Sequence, residues 1–313
     1  MTDWSAHDIP DLSDRAAVVT GANSGIGYCT ARELARRGAR VVLACRSEER
    51  GSAALARLFS DVPSADAALW RLDLGDLGSV REFAERYDRE RGGRLDLLVN
   101  NAGVMALPHR RTADGFEAQF GVNHLGHFAL TGLLLPHLLR TPGARVVTVS
   151  SMLHLLGNVD VTDLNSDRHY RRWLAYGRSK SANLLFTHEL ARRAAAAGAD
   201  LVAAAAHPGY AATNLQAAGP RLEGRKVRET VMTAATRVVG QSAAAGALPT
   251  LYAAAAPGVR PDSFTGPRVL GWRGAPTPSP RASWTRDDRV STRLWEASEQ
   301  LTGVRYDDTP KPA

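Results

Sequence analysis

The chain has 313 residues, 44% hydrophobic and 23% charged, which supplies a sizeable core and excludes disorder over most of its length. Two cysteines, Cys29 and Cys45, exclude a disulfide scaffold and a multi-cysteine zinc site, and no run reaches the roughly 18 apolar residues of a membrane-spanning helix. Net charge is +7, yet only three of the 39 basic residues are lysine (Lys180, Lys226, Lys311) and the arginines are scattered, so the balance reads as compositional bias and no nucleic-acid partner is expected.

The N-terminal Met1-Thr2-Asp3-Trp4 has no basic stretch followed by an apolar one, so no secretory leader is read and a soluble, cytoplasmic protein is expected. From there strand-like and helix-like segments alternate. Ala16 to Thr20 is a short apolar run that ends on a glycine, and a helical segment follows to Arg37, with Gly38 as its stop. Strands are predicted at Arg40 to Ala44, Ala68 to Leu72, Leu95 to Val99, Arg145 to Val149 and Leu201 to Ala206. Their runs are unbroken rather than alternating, the pattern of strands buried on both faces.

Two long apolar helices lie between them, one with Leu125, Phe128, Leu133, Leu134 and Leu138, the other from about Ala175 to Ala197. Residues 211–236 are mixed, with Gly219-Pro220 and Gly224, and read as a loop with short helices. Beyond Pro257 the chain turns rich in Pro and Gly, with Pro276, Pro278 and Pro280 close together. Val290 to Leu301 is amphipathic and is predicted to dock back as a helix. The order predicts an α/β fold, a single doubly wound parallel sheet of about seven strands flanked by helices.

The first strand runs into Thr20-Gly21-Ala22-Asn23-Ser24-Gly25-Ile26-Gly27. Glycines at such a turn allow a tight bend and the close approach of a phosphate, and the following helix N-terminus offers free N–H groups. The spacing is Gly-x-x-x-Gly-x-Gly, a departure from the commoner dinucleotide pattern. Asp73-Leu74 follows the third strand and Asn100-Asn101-Ala102-Gly103 the fourth; Asn123 lies on a helix; Ser150-Ser151 follows the fifth strand. Tyr176-x-x-x-Lys180 and His207-Pro208-Gly209 complete the series. Tyr176 and Lys180 are four apart on a helix and so share a face. A phenol has a pKa of about 10, and a neighbouring ammonium favours its ionised form.

With these motifs in order from about Ala16 to Gly266, the sequence resembles the short-chain dehydrogenase/reductase family. Ala44-Cys45-Arg46, Asn123 to Phe128 and Ser179 to Asn183 are similar to its retinol dehydrogenase and protochlorophyllide reductase branch, as is the long spacer, around Val159 to Trp173, between Ser151 and Tyr176. The resemblance implies a Rossmann-type catalytic domain over 12–266, a substrate loop at about 211–236 and an extension, 267–313, packed on the same domain. It implies an alcohol–carbonyl oxidoreductase in which Tyr176 exchanges a proton with the substrate oxygen, Ser151 steadies that oxygen, and Lys180 lowers the phenol pKa and binds the nicotinamide ribose. Asn123 would bend its helix and hold a water linked to Lys180.

Gly21, Asn23, Ser24, Gly25, Ile26, Gly27, Asp73, Leu74, Asn100, Ala102, Gly103, Pro208, Gly209 and Thr213 would line the cofactor with Tyr176 and Lys180. The acid that would bind the adenosine ribose is replaced by Cys45, and Arg46 follows it, so NADP(H) is expected over NAD(H). An apolar substrate is expected from Leu215, Leu222, Val227 and Val231; the alternatives are a protochlorophyllide-type reductase and a non-catalytic NADP-binding regulator. His124 and His127 have metal-compatible spacing but no acid or cysteine close by; they read as polar-face histidines, and no metal is expected. The two long helices suggest a homodimer.

Overall fold

The structure is a computed structural model that describes residues 3–91, 93–210 and 241–306. β1 (Ala16–Thr20), β2 (Arg40–Cys45), β3 (Ala67–Arg71), β4 (Leu97–Asn100), β5 (Ala144–Val149), β6 (Leu201–Ala206), β7 (Phe264–Val269) and β8 (Arg273–Pro278) form one sheet in the order β3-β2-β1-β4-β5-β6-β7-β8. All neighbours are parallel except the last pair, which is antiparallel. The order reverses between β1 and β4, the switch point at which such sheets open a ligand crevice.

Successive side chains of a strand point to opposite faces, so unbroken apolar runs feed two cores at once. Val18, Val42 and Ala44 pack under α3 (Leu77–Arg91), α5 (Gly126–Leu139) and α6 (Arg172–Ala196). Ala17, Val19, Val41, Leu43 and Cys45 pack under α1 (Gly25–Arg36), α2 (Glu48–Asp61) and α7 (Ala243–Ala255). None of the helices of the described residues is long and apolar enough to cross a membrane.

β8 is the eighth strand where about seven were expected. Its prolines and glycines read as loop, but an edge strand has an outward row of N–H groups that need no partner, and Pro276 and Pro278 are tolerated there. Pro267 is accommodated because β7 pairs with β6 only through Phe264 and Thr265.

α8 (Asp288–Thr302) lies on α5 and α6, the helices on which a homodimer was expected to form. Its Trp295 stacks on Phe186 at 5.7 Å and meets Phe128 and Tyr306 at 5.1 and 4.4 Å. Buried Glu189 of α6 pairs with Arg193 at 3.0 Å and accepts a hydrogen bond from Ser291 of α8, also at 3.0 Å.

His188 bridges Asp262 and Asp288, both at 2.8 Å, and these carboxylates raise its pKa against the opposing effect of burial. A raised folded-state pKa gives stability that is complete below the unfolded value, near 6.5, and lost as pH rises through the folded value. Urea unfolding is therefore expected to show the wild type losing about 1 kcal/mol relative to His188→Gln between pH 6 and pH 9. A pH-independent difference would remove the bridge from the list of stabilising contacts.

Candidate active site

The glycine-rich turn leaves β1 with Gly21 and Gly25 at φ of +67° and +57°, a left-handed backbone that glycine adopts without steric cost. A Cβ on Gly27 would stand 2.5 Å from the Gly21 carbonyl oxygen and collide with the Asn101 amide, so this close approach also requires glycine. Ser24 precedes α1 but makes no side-chain cap, which leaves the first-turn N–H groups for an anion. The Cys45 thiol accepts from the backbone N–H groups of Ala22 and Asn23, and burial pushes its pKa up to about 11, so it stays neutral. Arg46 is exposed and makes no ion pair among the described residues.

A cavity of about 1040 Å³ opens beside this turn, lined among others by Asn23, Ser24, Arg46, Arg50 and Asp73. One Asp73 oxygen accepts from the Gly75 N–H at 2.9 Å. Leu74 is buried against Gly126, where a Cβ would strike its carbonyl oxygen. The cavity has the glycine cradle, the open helix N-terminus and the cationic edge that a dinucleotide phosphate requires.

The end of β4 is clamped to the turn. Thr20 Oγ1 accepts from the N–H groups of Asn101 and Ala102, each at 2.9 Å, and the Asn101 side chain donates to Thr20 O at 2.8 Å. Asn100 spends its amide on Thr131 of α5 at 3.0 Å, so its side chain braces the core. A Cβ on Gly103 would lie 3.1 Å from Asn123 Oδ1 and 3.6 Å from Lys180 Nζ.

Behind this clamp is an unforeseen connection. His127 Nε2 is 2.9 Å from Thr20 Oγ1, and its Nδ1 is 3.1 Å from the Asn123 carbonyl oxygen. Burial pushes the imidazole down to about 4, so the neutral ring that donates to Asn123 O and accepts from Thr20 satisfies both ends. His124 is also buried; it bonds Ser298 of α8 at 2.9 Å and is pushed down to about 3. The polar-face placement expected for both is overturned: His124 is enclosed against α8 and His127 against the end of β1. Among the described residues, groups of three or more His, Cys, Asp or Glu that could hold a metal are absent.

α4 (Ala118–Phe120) runs into a π-helical turn, Gly121–Leu125, which holds Asn123 and leads into α5. The Asn123 side chain accepts from Val104 N at 2.8 Å and donates to Val104 O and Ser179 Oγ, each at 2.9 Å, which ties the β4 exit to α6. On α6 the buried Tyr176 hydroxyl lies beside Ser151, which pulls its pKa down. Ser150 is turned to the Lys180 carbonyl oxygen at 2.8 Å, leaving Ser151 as the member of the doublet that meets the phenol. Lys180 donates to Val149 O at 3.0 Å, with Nζ 5.7 Å from the Tyr176 ring centroid.

Burial pushes Tyr176 up to about 12, against a smaller downward pull from Ser151, and pushes Lys180 down to about 8. The lowering of the phenol by Lys180 expected from the Tyr–Lys spacing is not found; desolvation dominates and raises it. Gly209 has φ +64° and follows Pro208, whose carbonyl accepts from Gln241 at 2.6 Å. Thr213 and the loop 211–236 lie outside the described residues.

The profile of the short chain dehydrogenase family matches residues 15–221. The chain belongs to that family. Human retinol dehydrogenase 12 is 41% identical over 302 residues, covering 95% of this chain and 89% of the relative. Human retinol dehydrogenase 13 is 40% identical over 94% of this chain and 86% of its own. Among solved structures, an uncharacterized protein from Mycobacterium paratuberculosis superposes with a TM-score of 0.80 at 45% identity, over 97% of this chain and 99% of that one. This short-chain dehydrogenase is accordingly an oxidoreductase of CH–OH groups that works with a nicotinamide dinucleotide.

Proposed function

We propose that this short-chain dehydrogenase interconverts a lipophilic alcohol and its aldehyde or ketone, with NADP(H) preferred over NAD(H). The observation that carries the reading is the buried Tyr176 hydroxyl beside Ser151, with Lys180 one helical turn away on α6. Gly21, Gly25 and Gly27 would hold the pyrophosphate beside the α1 N-terminus, and Asp73 and Gly103 would flank the dinucleotide. When bound, that cofactor supplies or accepts the hydride at the substrate carbon.

The chain's own residues manage the oxygen. A phenol pushed up to about 12 is protonated at neutral pH, the form that gives a proton to a carbonyl oxygen during reduction. The Ser151 hydroxyl donates to the same oxygen as negative charge develops. In the reverse direction Tyr176 must take a proton, and the cationic form of Lys180 favours the phenolate. Asn123, through Val104 and Ser179, fixes the walls between which these groups meet.

Cofactor preference rests on the end of β2. Cys45 is neutral, buried and occupied with the turn, so no carboxylate repels a 2′-phosphate, and Arg46 offers charge-assisted bonds to one. An apolar substrate is supported by the similarity to relatives that are retinol dehydrogenases.

The test follows NADPH absorbance with purified protein and a panel of lipophilic aldehydes and ketones, with NADH in parallel. Turnover with NADPH is expected at least about tenfold above NADH, the worth of one charge-assisted phosphate contact. Equal use of NADH would overturn the cofactor reading. Tight NADPH binding with no turnover in either direction would point to the regulatory alternative.

A further inference from the structure

Of the large apolar side chains left exposed among the described residues, all but Phe59 lie at or beyond the C-terminal ends of the strands, where the site is. Leu155 and Leu156 stand on the 3₁₀ turn after Ser151, half exposed, and Trp173 stands one turn before Tyr176. The β7–β8 turn adds Val269, Leu270 at 89% exposure and Trp272 at 55%. These two groups meet across the mouth. A Cβ on Gly271 would lie 3.7 Å from Met152, and the Trp272 carbonyl accepts from Tyr210 N at 3.2 Å, just past Pro208-Gly209.

The hairpin tip gains nothing from the fold. Leu270 holds φ +51°, a left-handed backbone that costs a branched residue roughly 1–2 kcal/mol, and its side chain reaches no core. Arginines bracket both groups: Arg268 and Arg273 around the tip, Arg171 and Arg172 beside Trp173. Arg268 is paired with Asp3 at 2.6 Å, whereas Arg273 makes no ion pair among the described residues.

We propose that this rim docks on an anionic lipid surface, with Leu270 and Trp272 entering the boundary between headgroups and acyl chains. Tryptophan and leucine flanked by cations suit that boundary, where buried apolar area and attraction to anionic headgroups add, at about 1 kcal/mol per basic residue. A few side chains spread around a mouth fall short of the ~1,200 Å² of a stable protein interface. A second copy would set arginine against arginine, on a chain of net charge +7. The docking rests on the surface alone. Its use, which is to admit a lipophilic substrate directly from the bilayer, rests on the proposed function.

The experiment measures co-sedimentation of the full chain, without substrate, on phosphatidylcholine vesicles with and without phosphatidylglycerol, at low and high salt. The wild type is expected to bind the anionic vesicles, more weakly at high salt, and Leu270→Ser/Trp272→Ser is expected to lose about tenfold or more in binding at an unchanged melting temperature. Turnover of a short water-soluble carbonyl should be the same in both. Three results would each overturn the docking: no vesicle binding by the wild type, equal binding by the double variant, or a shift in its KM for the soluble substrate with vesicle binding unaltered. The last would assign the rim to the chain's own substrate pocket, and the activity assay is read separately from all three.

Discussion

Tyr176→Phe is expected to lower kcat by about 10²–10⁴-fold, the contribution of a positioned proton donor, while leaving the dissociation constant for NADPH close to that of the wild type. The phenyl ring is retained in the pocket formed with Met105, Ala106 and Leu153, so the packing survives. Loss of the hydroxyl forfeits its polar contact with Ser151, worth at most about 1 kcal/mol of stability, and the melting temperature should move little. The comparison is therefore a kinetic one, made by stopped-flow or steady-state absorbance on the best carbonyl of the panel. A variant within tenfold of the wild type would show that another group handles the proton. Ser151→Ala run alongside should show a smaller loss, because its donor steadies the oxygen and moves no proton.

The second large effect concerns cofactor choice. Arg46→Asp removes the guanidinium and sets a carboxylate, one residue past the ribose-binding position held by Cys45, where it would repel a 2′-phosphate. KM for NADPH is expected to rise about 10- to 100-fold while KM for NADH falls, which reverses the preference. Because Arg50 lines the same cavity one turn into α2, Arg46→Ala should leave part of the NADPH preference and Arg46→Asp little of it. Unchanged ratios in both variants would make Arg46 a surface arginine and place the discrimination elsewhere in the cavity.

Sequence reading reached far into the fold because parallel strands buried on both faces announce themselves as unbroken apolar runs. β1 and β6 fall on their predicted residues and β2, β3, β4 and β5 within two, whereas β7 was given no range. β8 was illegible, since Pro276 and Pro278 read as turn where the edge of a sheet makes them harmless. At the site, Tyr176, Ser151, Lys180 and Asn123 are brought together around α6 and the π turn, as their order implied.

What sequence could not show was which polar residues the core would absorb. His127 looks like one more polar residue on a helix until α5 packs on the sheet, and only then does it become the link between Thr20 and Asn123. Asn100 and Asn101 are adjacent and alike, yet one braces the core and the other closes the glycine turn. Strand alternation separates them, and the motif alone does not say which points where.

The position of α8 bears on the order in which this protein can be made. Trp295, Val304 and Tyr306 complete the same apolar cluster as Val18 and Phe128, and the Tyr306 hydroxyl donates to Phe128 O at 2.6 Å across a separation of 178 residues. On the ribosome, the central sheet emerges with one face of α5 and α6 uncovered and stays so until residues 288–306 have cleared the exit tunnel. Closure thus waits on the most C-terminal of the described helices. A nascent chain of this length passes through a stage in which its largest aromatic cluster is open to other chains, and a chaperone that shields apolar surface would act on it then.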